Sequence, residues 1–417
     1  MVFQRIGPVI DEWLLQRIYQ SVGCPPLRLR LENGVTAPST GSIPLATIGI
    51  RDRTILFRLM LDPEIGFGEA YVHGRITVEG DLIAALEALY QSMGKVDHHN
   101  WYNATVSRCM EYVQRNTLRG SLHNIHQHYD LPTDFYRLWL DPQLVYTCAY
   151  FASASATLEE AQVAKMDYIC RKLRLQPGER VVDAGCGWGA LALHMAKHYG
   201  VTVRAFNISH EQILWARERA KELKLGDWVE FIEDDYRNIS GQCDVFVSVG
   251  MLEHVGRENY RAAGSIINRC LDKTGRGLLH FLGRNKACPF STWTRRHIFP
   301  GAYAPTIREA MDVLEPQGFS ILDIENLRPH YARTLEFWLD GFEKSADGVE
   351  KMMGSEFVRV WRLYLAGAVA ALRTGTLQLF QIVFARSGCQ QIPWTRAHLY
   401  RPEQEEEQEA RWIPTTF

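Results

Sequence analysis

The sequence predicts an α/β chain in which a doubly wound, seven-stranded sheet domain with helical insertions follows a small α+β unit. Three observations predict it. From residue 179 onward seven apolar, β-like runs alternate with helical stretches, the pattern of a sheet covered on both faces. The first of those runs breaks into a glycine-punctuated turn that opens directly into a helix, RVVDAGCGWGA at 180–190. The first 95 residues lack that alternation, and 417 residues exceed one ordinary core, since domains run to about 150 residues.

Within 1–95, LRLRLENG and IGIRDRTILFRLML read as β-like, DPEIGFGEAYVHGRITVEGD as turn-rich, and LIAALEALYQSM as an apolar helix. Residues 96–122, polar and carrying Arg108, Arg115 and Arg119, predict a helix and linker. The main domain spans 123–390, with its strands at RVVDAG, VTVRAFNI, WVEFIED, DVFVSVG, RGLLHFLG, FSILDIENL and LQLFQIVFAR. Two longer intervals, 284–305 and 328–374, predict helical insertions that roof a deep pocket. The segment 391–417, with its acidic block RPEQEEEQEARW, reads as a solvated extension without a function of its own.

Composition narrows the class. Forty-six basic and forty-eight acidic side chains leave a formal charge of −2, so no long-range field steers the chain onto nucleic acid. Nine cysteines without a CxxC pair fit neither a disulfide framework nor a zinc site. The start, MVFQRIGPVIDEWLLQ, lacks the pattern of a secretory signal, and the most apolar stretch, 358–385, is interrupted by Arg359, Arg362 and Arg373. A cytoplasmic protein that meets a membrane only from its surface is expected.

The turn at 185–189 predicts a Rossmann-like cofactor corner. Glycine lets the backbone turn sharply and approach a ligand without Cβ interference. A dinucleotide site uses the same device, but Asp183 directly before the turn and a GxGxG spacing favour S-adenosylmethionine, a sulfonium cofactor with no phosphate to cradle. A bare tight turn is the bland alternative, and the strand and helix around it weigh against that. Asn207, Ser209 and Gln212 follow the second strand, which ends without a ribose-binding carboxylate. Asp235 and Tyr236 follow the third, in place to meet the adenine.

Four further stretches join this corner: HYDLPTDFYRLWLDPQLVYTCAYF at 128–151, SVGMLEHVG at 248–256, LLHFLG at 278–283 and HYARTLEFW at 330–338. Together, over about residues 120–388, they resemble the cyclopropane-fatty-acid synthase family, mycolic acid cyclopropane synthases included. The resemblance implies a methyltransferase fold and addition of a methylene unit across the double bond of an unsaturated acyl chain. It implies cofactor contacts at Tyr146, Thr147, Gly185, Gly187, Asn207, Ile208, Ser209 and Gln212. It also implies a bicarbonate ion held by Cys148, Glu253, His280, Tyr331 and the backbone at Leu282. The sequence departs from the family's usual HYDxGNDFY, placing Pro132 and Thr133 where Gly and Asn are usual, and Thr147 stands where Ser is common. Proline restricts its own φ and its predecessor, so these departures bear on substrate choice.

The implied chemistry suits these residue types. Methyl transfer to an alkene leaves a carbocation, and a ring face stabilises a cation by about 0.5–2 kcal/mol. Tyr150, Phe151, Phe281, Tyr331 and Trp338 are candidates, with core packing as the plain alternative for each. Ring closure then needs a base that does not trap the cation. Bicarbonate serves if His280 and Tyr331 donate to it while Glu253 accepts its hydroxyl proton. Nothing near Cys148 in sequence lowers its pKa, so binding is favoured over covalent catalysis, and His254 reads as structural.

The N-terminal unit resembles the lipid-facing domain of phospholipid-acting relatives, which favours a membrane phospholipid as acyl donor. Arg115, Arg119, Arg171, Lys172, Arg174, Arg295 and Arg296 are candidates for a basic face toward anionic headgroups, against the reading that each is simply solvated. The family implies a homodimer, and a partner reductase if the product is methyl-branched. Three alternatives stand: a methylene- or methyl-branched product from the same cation, methylation of a small polar acceptor, and a lipid-binding protein with a disused cofactor fold. Intact Gly185, Gly187, Glu253 and His280 weigh against the last.

Overall fold

The computed structural model describes residues 2–38, 43–94 and 131–400, with side chains from residue 9. Arg108, Arg115 and Arg119, the expected linker, the start of the motif at 128–130 and the acidic block after residue 400 lie outside the described residues. The chain divides into two compact units. One comprises Met1–Leu140, Leu282–Thr306 and Arg328–Leu379; the other comprises Asp141–Phe281, Ile307–Leu327 and Phe380–Phe417.

The first unit is α+β. Strands β1 (Arg28–Leu31), β2 (Thr36–Ala37), β3 (Ala46–Ile50) and β4 (Ile76–Gly80) form a sheet in the order β2-β1-β3-β4. IGIRDRTILFRLML is not one β-like run: its strand ends at Ile50 and the rest is a helix, Arg53–Leu61. Asp52 caps that helix, accepting from the Thr54 amide at 2.9 Å, and Ile55, Leu56 and Leu59 form its buried face. The supposedly turn-rich segment holds a helix, Pro63–Val72, with Asp62 as cap and proline at the first position. Its glycines serve close approach rather than a turn, since a Cβ on Gly68 would collide with the Trp293 ring. LIAALEALYQSM is helical as expected, over Leu82–Met93.

Both long intervals belong to this unit. The first yields one short helix, Thr292–His297; the second yields Arg328–Lys344, Ala346–Met353 and Ser355–Arg373. Aromatic side chains tie these helices to the segment after residue 131. Phe135 meets Trp361 edge-on at 5.0 Å, and Trp139 meets Trp338 at 5.8 Å.

All seven expected strands form: β5 (Arg180–Ala184), β6 (Thr202–Asn207), β7 (Val229–Glu233), β8 (Cys243–Val249), β9 (Leu271–Gly283), β10 (Phe319–Asn326) and β11 (Gln378–Arg386). Their order is β10-β11-β9-β8-β5-β6-β7, with β7, β6, β5, β8 and β9 paired parallel and β10 antiparallel to β11. Successive residues point to opposite faces, so Val181, Val245 and Leu278 join one core layer while Val182, Phe246 and Leu279 join the other. Strand order reverses between β5 and β8, the place where ligands of open α/β sheets bind. Among the described residues no helix is long and apolar enough to cross a membrane.

Candidate active site

The cofactor corner lies at the carboxyl ends of β5 and β6. Gly185, Gly187 and Gly189 take φ of +89°, +57° and +85°, and the Gly185 and Cys186 amides donate to the Phe206 carbonyl at 2.9 and 3.0 Å. The helix Ala190–Tyr199 follows at once. The glycines differ in their surroundings. A Cβ on Gly189 would lie 2.5 Å from Phe231 Cζ, whereas one on Gly187 would meet nothing within 4 Å. Gly189 is therefore a packing requirement, and Gly187 faces open space.

Two buried polar atoms point to a polar ligand here. Asp183 Oδ2 and Ser209 Oγ have no hydrogen-bond partner among the described residues. Burial raises the Asp183 carboxyl to about 7, against the nearby Lys165 charge, and raises the Tyr236 phenol to about 12. An open cradle at Gly187 with unsatisfied groups around it fits S-adenosylmethionine. Asn207 braces the corner: its amide donates to the Gly187 carbonyl at 3.2 Å and to Gln212 at 2.6 Å, while its oxygen accepts from the Ile208 amide at 2.8 Å. Asp235 accepts twice from Arg237, through its backbone and its guanidinium.

The segment carrying Tyr146, Thr147 and Cys148 reaches the same place. Asp141 accepts from the amides of Gln143 and Val145, and Gln162 donates to the carbonyls of Val145 and Thr147. Thr147 Oγ1 accepts from Lys165 at 3.0 Å. A Cβ on Gly250 would lie 3.3 Å from Thr147 Cγ2, and one on Gly185 would lie 3.0 Å from Met251. Thr147, the glycine turn and the start of the helix Leu252–Val255 thus converge. Glu253 is buried on that helix. The Gly250 amide donates to the His280 carbonyl at 2.8 Å, which fixes the end of β8 against β9. Cys148 is buried and donates to the Ala149 carbonyl at 3.1 Å.

His280 is 2 % exposed, and burial together with the charges of Lys165 and Lys172 pushes its imidazole down to about 3. It is neutral at physiological pH. Its Nδ1 lies 2.9 Å from the Gln381 amide nitrogen. Cys148, Glu253, His280 and the cofactor corner belong to the second unit; Leu282 and Tyr331 are assigned to the first, where Tyr331 meets Trp338 edge-on at 6.0 Å.

Two expectations need correction. Phe281 is not a ring face for a cation beside His280: adjacent strand residues point to opposite faces, and Phe281 is fully buried in the core with Phe380 at 5.9 Å. Lys172 and Arg295 do not belong to a headgroup-facing surface, because both are buried, and Lys172 is paired with Glu325 at 2.5 Å. Lys165, Glu325 and Gln381 escaped the sequence reading, and Lys172 entered it only as a surface cation. Their signal was a polar residue on an apolar face: Lys165 and Lys172 lie among the buried residues of the helix Leu158–Leu173, and Gln381 interrupts the apolar run of β11.

The chain is similar to known proteins over most of its length. The family model described as mycolic acid cyclopropane synthetase matches residues 116–382. A probable fatty acid methyltransferase of Pseudomonas putida is 32% identical over 90% of this chain and 96% of its own length. The cyclopropane-fatty-acyl-phospholipid synthase of Escherichia coli K12 is 34% identical over 83% of this chain and 89% of its own. The solved mycolic acid cyclopropane synthase CmaA1, complexed with SAH and CTAB, superposes with a TM-score of 0.61 at 30% identity, covering 63% of this chain and 98% of that one.

Proposed function

The chain belongs to the mycolic acid cyclopropane synthetase family and is an S-adenosylmethionine-dependent methyltransferase, and from that premise we propose that it converts the double bond of an unsaturated phospholipid acyl chain into a cyclopropane ring. The observation that carries this reading is a neutral, buried His280 in the same unit as Glu253 and the open Gly187 cradle. Gly185, Gly187, Asp183, Ser209 and Tyr236 would hold S-adenosylmethionine, whose sulfonium supplies an electrophilic methyl group. Within the second unit Cys148, Glu253 and His280 would hold bicarbonate, which supplies a proton acceptor.

The chain's own residues then have distinct tasks. A neutral His280 donates a hydrogen bond without adding positive charge beside a carbocation. Buried Glu253 accepts a proton in a hydrogen bond and so raises the basicity of its partner. The net change balances: the alkene gains a methyl group, one proton leaves that methyl, and the ring closes.

The phospholipid reading draws on the first unit. Val9, Ile10 and Trp13 are exposed on one side of the helix Val2–Ser21, and Phe57, Met60 and Leu61 are exposed on the helix Arg53–Leu61. Both helices bury their other faces, so the exposed apolar residues suit a lipid surface rather than a core. The second outcome is a methyl- or methylene-branched chain from the same cation, a reading that the name of the Pseudomonas relative, a probable fatty acid methyltransferase, fits less well than ring formation. One experiment separates them: parallel incubations of unsaturated phospholipid vesicles, with methyl-deuterated S-adenosylmethionine for mass analysis of the acyl chains and with unlabelled S-adenosylmethionine for their proton NMR. Upfield ring protons with loss of one deuteron support cyclopropanation. Vinylic methylene or methyl-branch signals overturn it, and turnover of a polar acceptor without lipid overturns the lipid substrate.

A further inference from the structure

We infer that Gln381 and Lys172 are positioning residues that lock His280 in the tautomer carrying its proton on Nε2. Glu325, Gln381 and His280 come from three adjacent strands: Glu325 of β10 is the register partner of Gln381 in β11, and β11 neighbours β9, which carries His280. Lys172 reaches this row from the helix Leu158–Leu173, donating to Glu325 at 2.5 Å and to the Gln381 side-chain oxygen at 2.7 Å. The Gln381 amide nitrogen lies 2.9 Å from His280 Nδ1. Gln381 is fully buried and the Lys172 side chain is 1% exposed, so water does not compete for the bond between them, while the Glu325 side chain, 29% exposed, reaches the surface.

The direction of each bond follows from the groups. A lysine ammonium only donates, so the amide oxygen of Gln381 must face it. That leaves the amide NH2, which also only donates, facing Nδ1. Nδ1 must therefore accept, and in a neutral ring the proton sits on Nε2. Glu325 holds the lysine at the far end, with the Tyr168 hydroxyl donating to it at 3.1 Å and the Lys172 ammonium 4.8 Å from the Tyr168 ring. The consequence rests on the proposed methylene-transfer reading: His280 serves there as a donor through Nε2–H and has no lone pair on that nitrogen with which to abstract a proton. The base must be another species.

The test is long-range 15N–1H NMR of the histidine-labelled full chain, with His280 assigned by comparison with His280→Asn. The Nε2–H pattern is expected in the wild type, and an Nδ1–H pattern there overturns the inference without any variant. In Gln381→Glu, a near-isosteric change, an ionised carboxylate only accepts, so the ring turns to Nδ1–H. With the donor removed from Nε2, kcat falls roughly 10²-fold while KM for S-adenosylmethionine holds. An unchanged tautomer in Gln381→Glu overturns the positioning role. Because the spectra are read without substrate, a flipped tautomer with unaltered turnover supports the lock and refutes only the place of His280 in methylene transfer.

Discussion

Gly187 and Gly189 lie two residues apart in one turn, both at positive φ, and alanine at each position should fail in a different way. At Gly187 the φ of +57° falls in the left-handed region that an L-residue enters at roughly 1–2 kcal/mol, and an added Cβ meets nothing within 4 Å. Folding should weaken only slightly. The same methyl would occupy the cradle proposed for the cofactor, an overpacking of about 1–3 kcal/mol, or roughly 5- to 150-fold in Kd. At Gly189 the backbone strain is compounded by a Cβ 2.5 Å from Phe231 Cζ and 3.0 Å from Ala216 Cβ. Overpacking then falls on the core itself, for a loss of about 2–5 kcal/mol of stability. Calorimetric titration with S-adenosylmethionine and thermal unfolding of both variants separate these effects. Wild-type cofactor affinity in Gly187→Ala would refute the assignment of this loop, and wild-type stability in Gly189→Ala would refute the packing argument.

Other predictions concern the buried acids and the lipid surface. Burial raises the folded-state pKa of Asp183 to about 7, above its unfolded value near 3.8, so its contribution to stability is present below pH 4 and is lost as pH rises toward 7. Asp183→Asn should flatten that slope in urea unfolding of the cofactor-free protein, and an unaltered slope would place the pH dependence elsewhere. Glu253→Gln should lower kcat and alter its response to added or depleted bicarbonate; unchanged kinetics under both conditions would exclude the acceptor role. Replacing Trp13, Phe57 and Leu61 with serine should weaken vesicle flotation at about 1.5–3 kcal/mol per side chain that enters the lipid, with thermal stability nearly unchanged because these faces are exposed. Undiminished flotation would remove these helices from the membrane contact.

By itself the sequence determined the sheet domain, because seven apolar runs and one glycine turn are local patterns that only a covered α/β sheet satisfies. It also determined which motif residues to examine, since Cys148, Glu253, His280 and the loop glycines stand in short, ordered segments. It misread 48–61 and 63–72, where caps at Asp52 and Asp62 and contacts with distant residues such as Trp293 overrode local β and turn signals. What only the tertiary structure decided is the state of each group. Lys172 became a buried hydrogen-bond donor instead of a surface cation, Phe281 turned into the core by strand alternation, and His280 acquired a defined tautomer. The physical reason is common to all three: protonation and orientation depend on burial and on partners 101 and 209 residues away along the chain, brought together only when adjacent strands pair and a helix covers them.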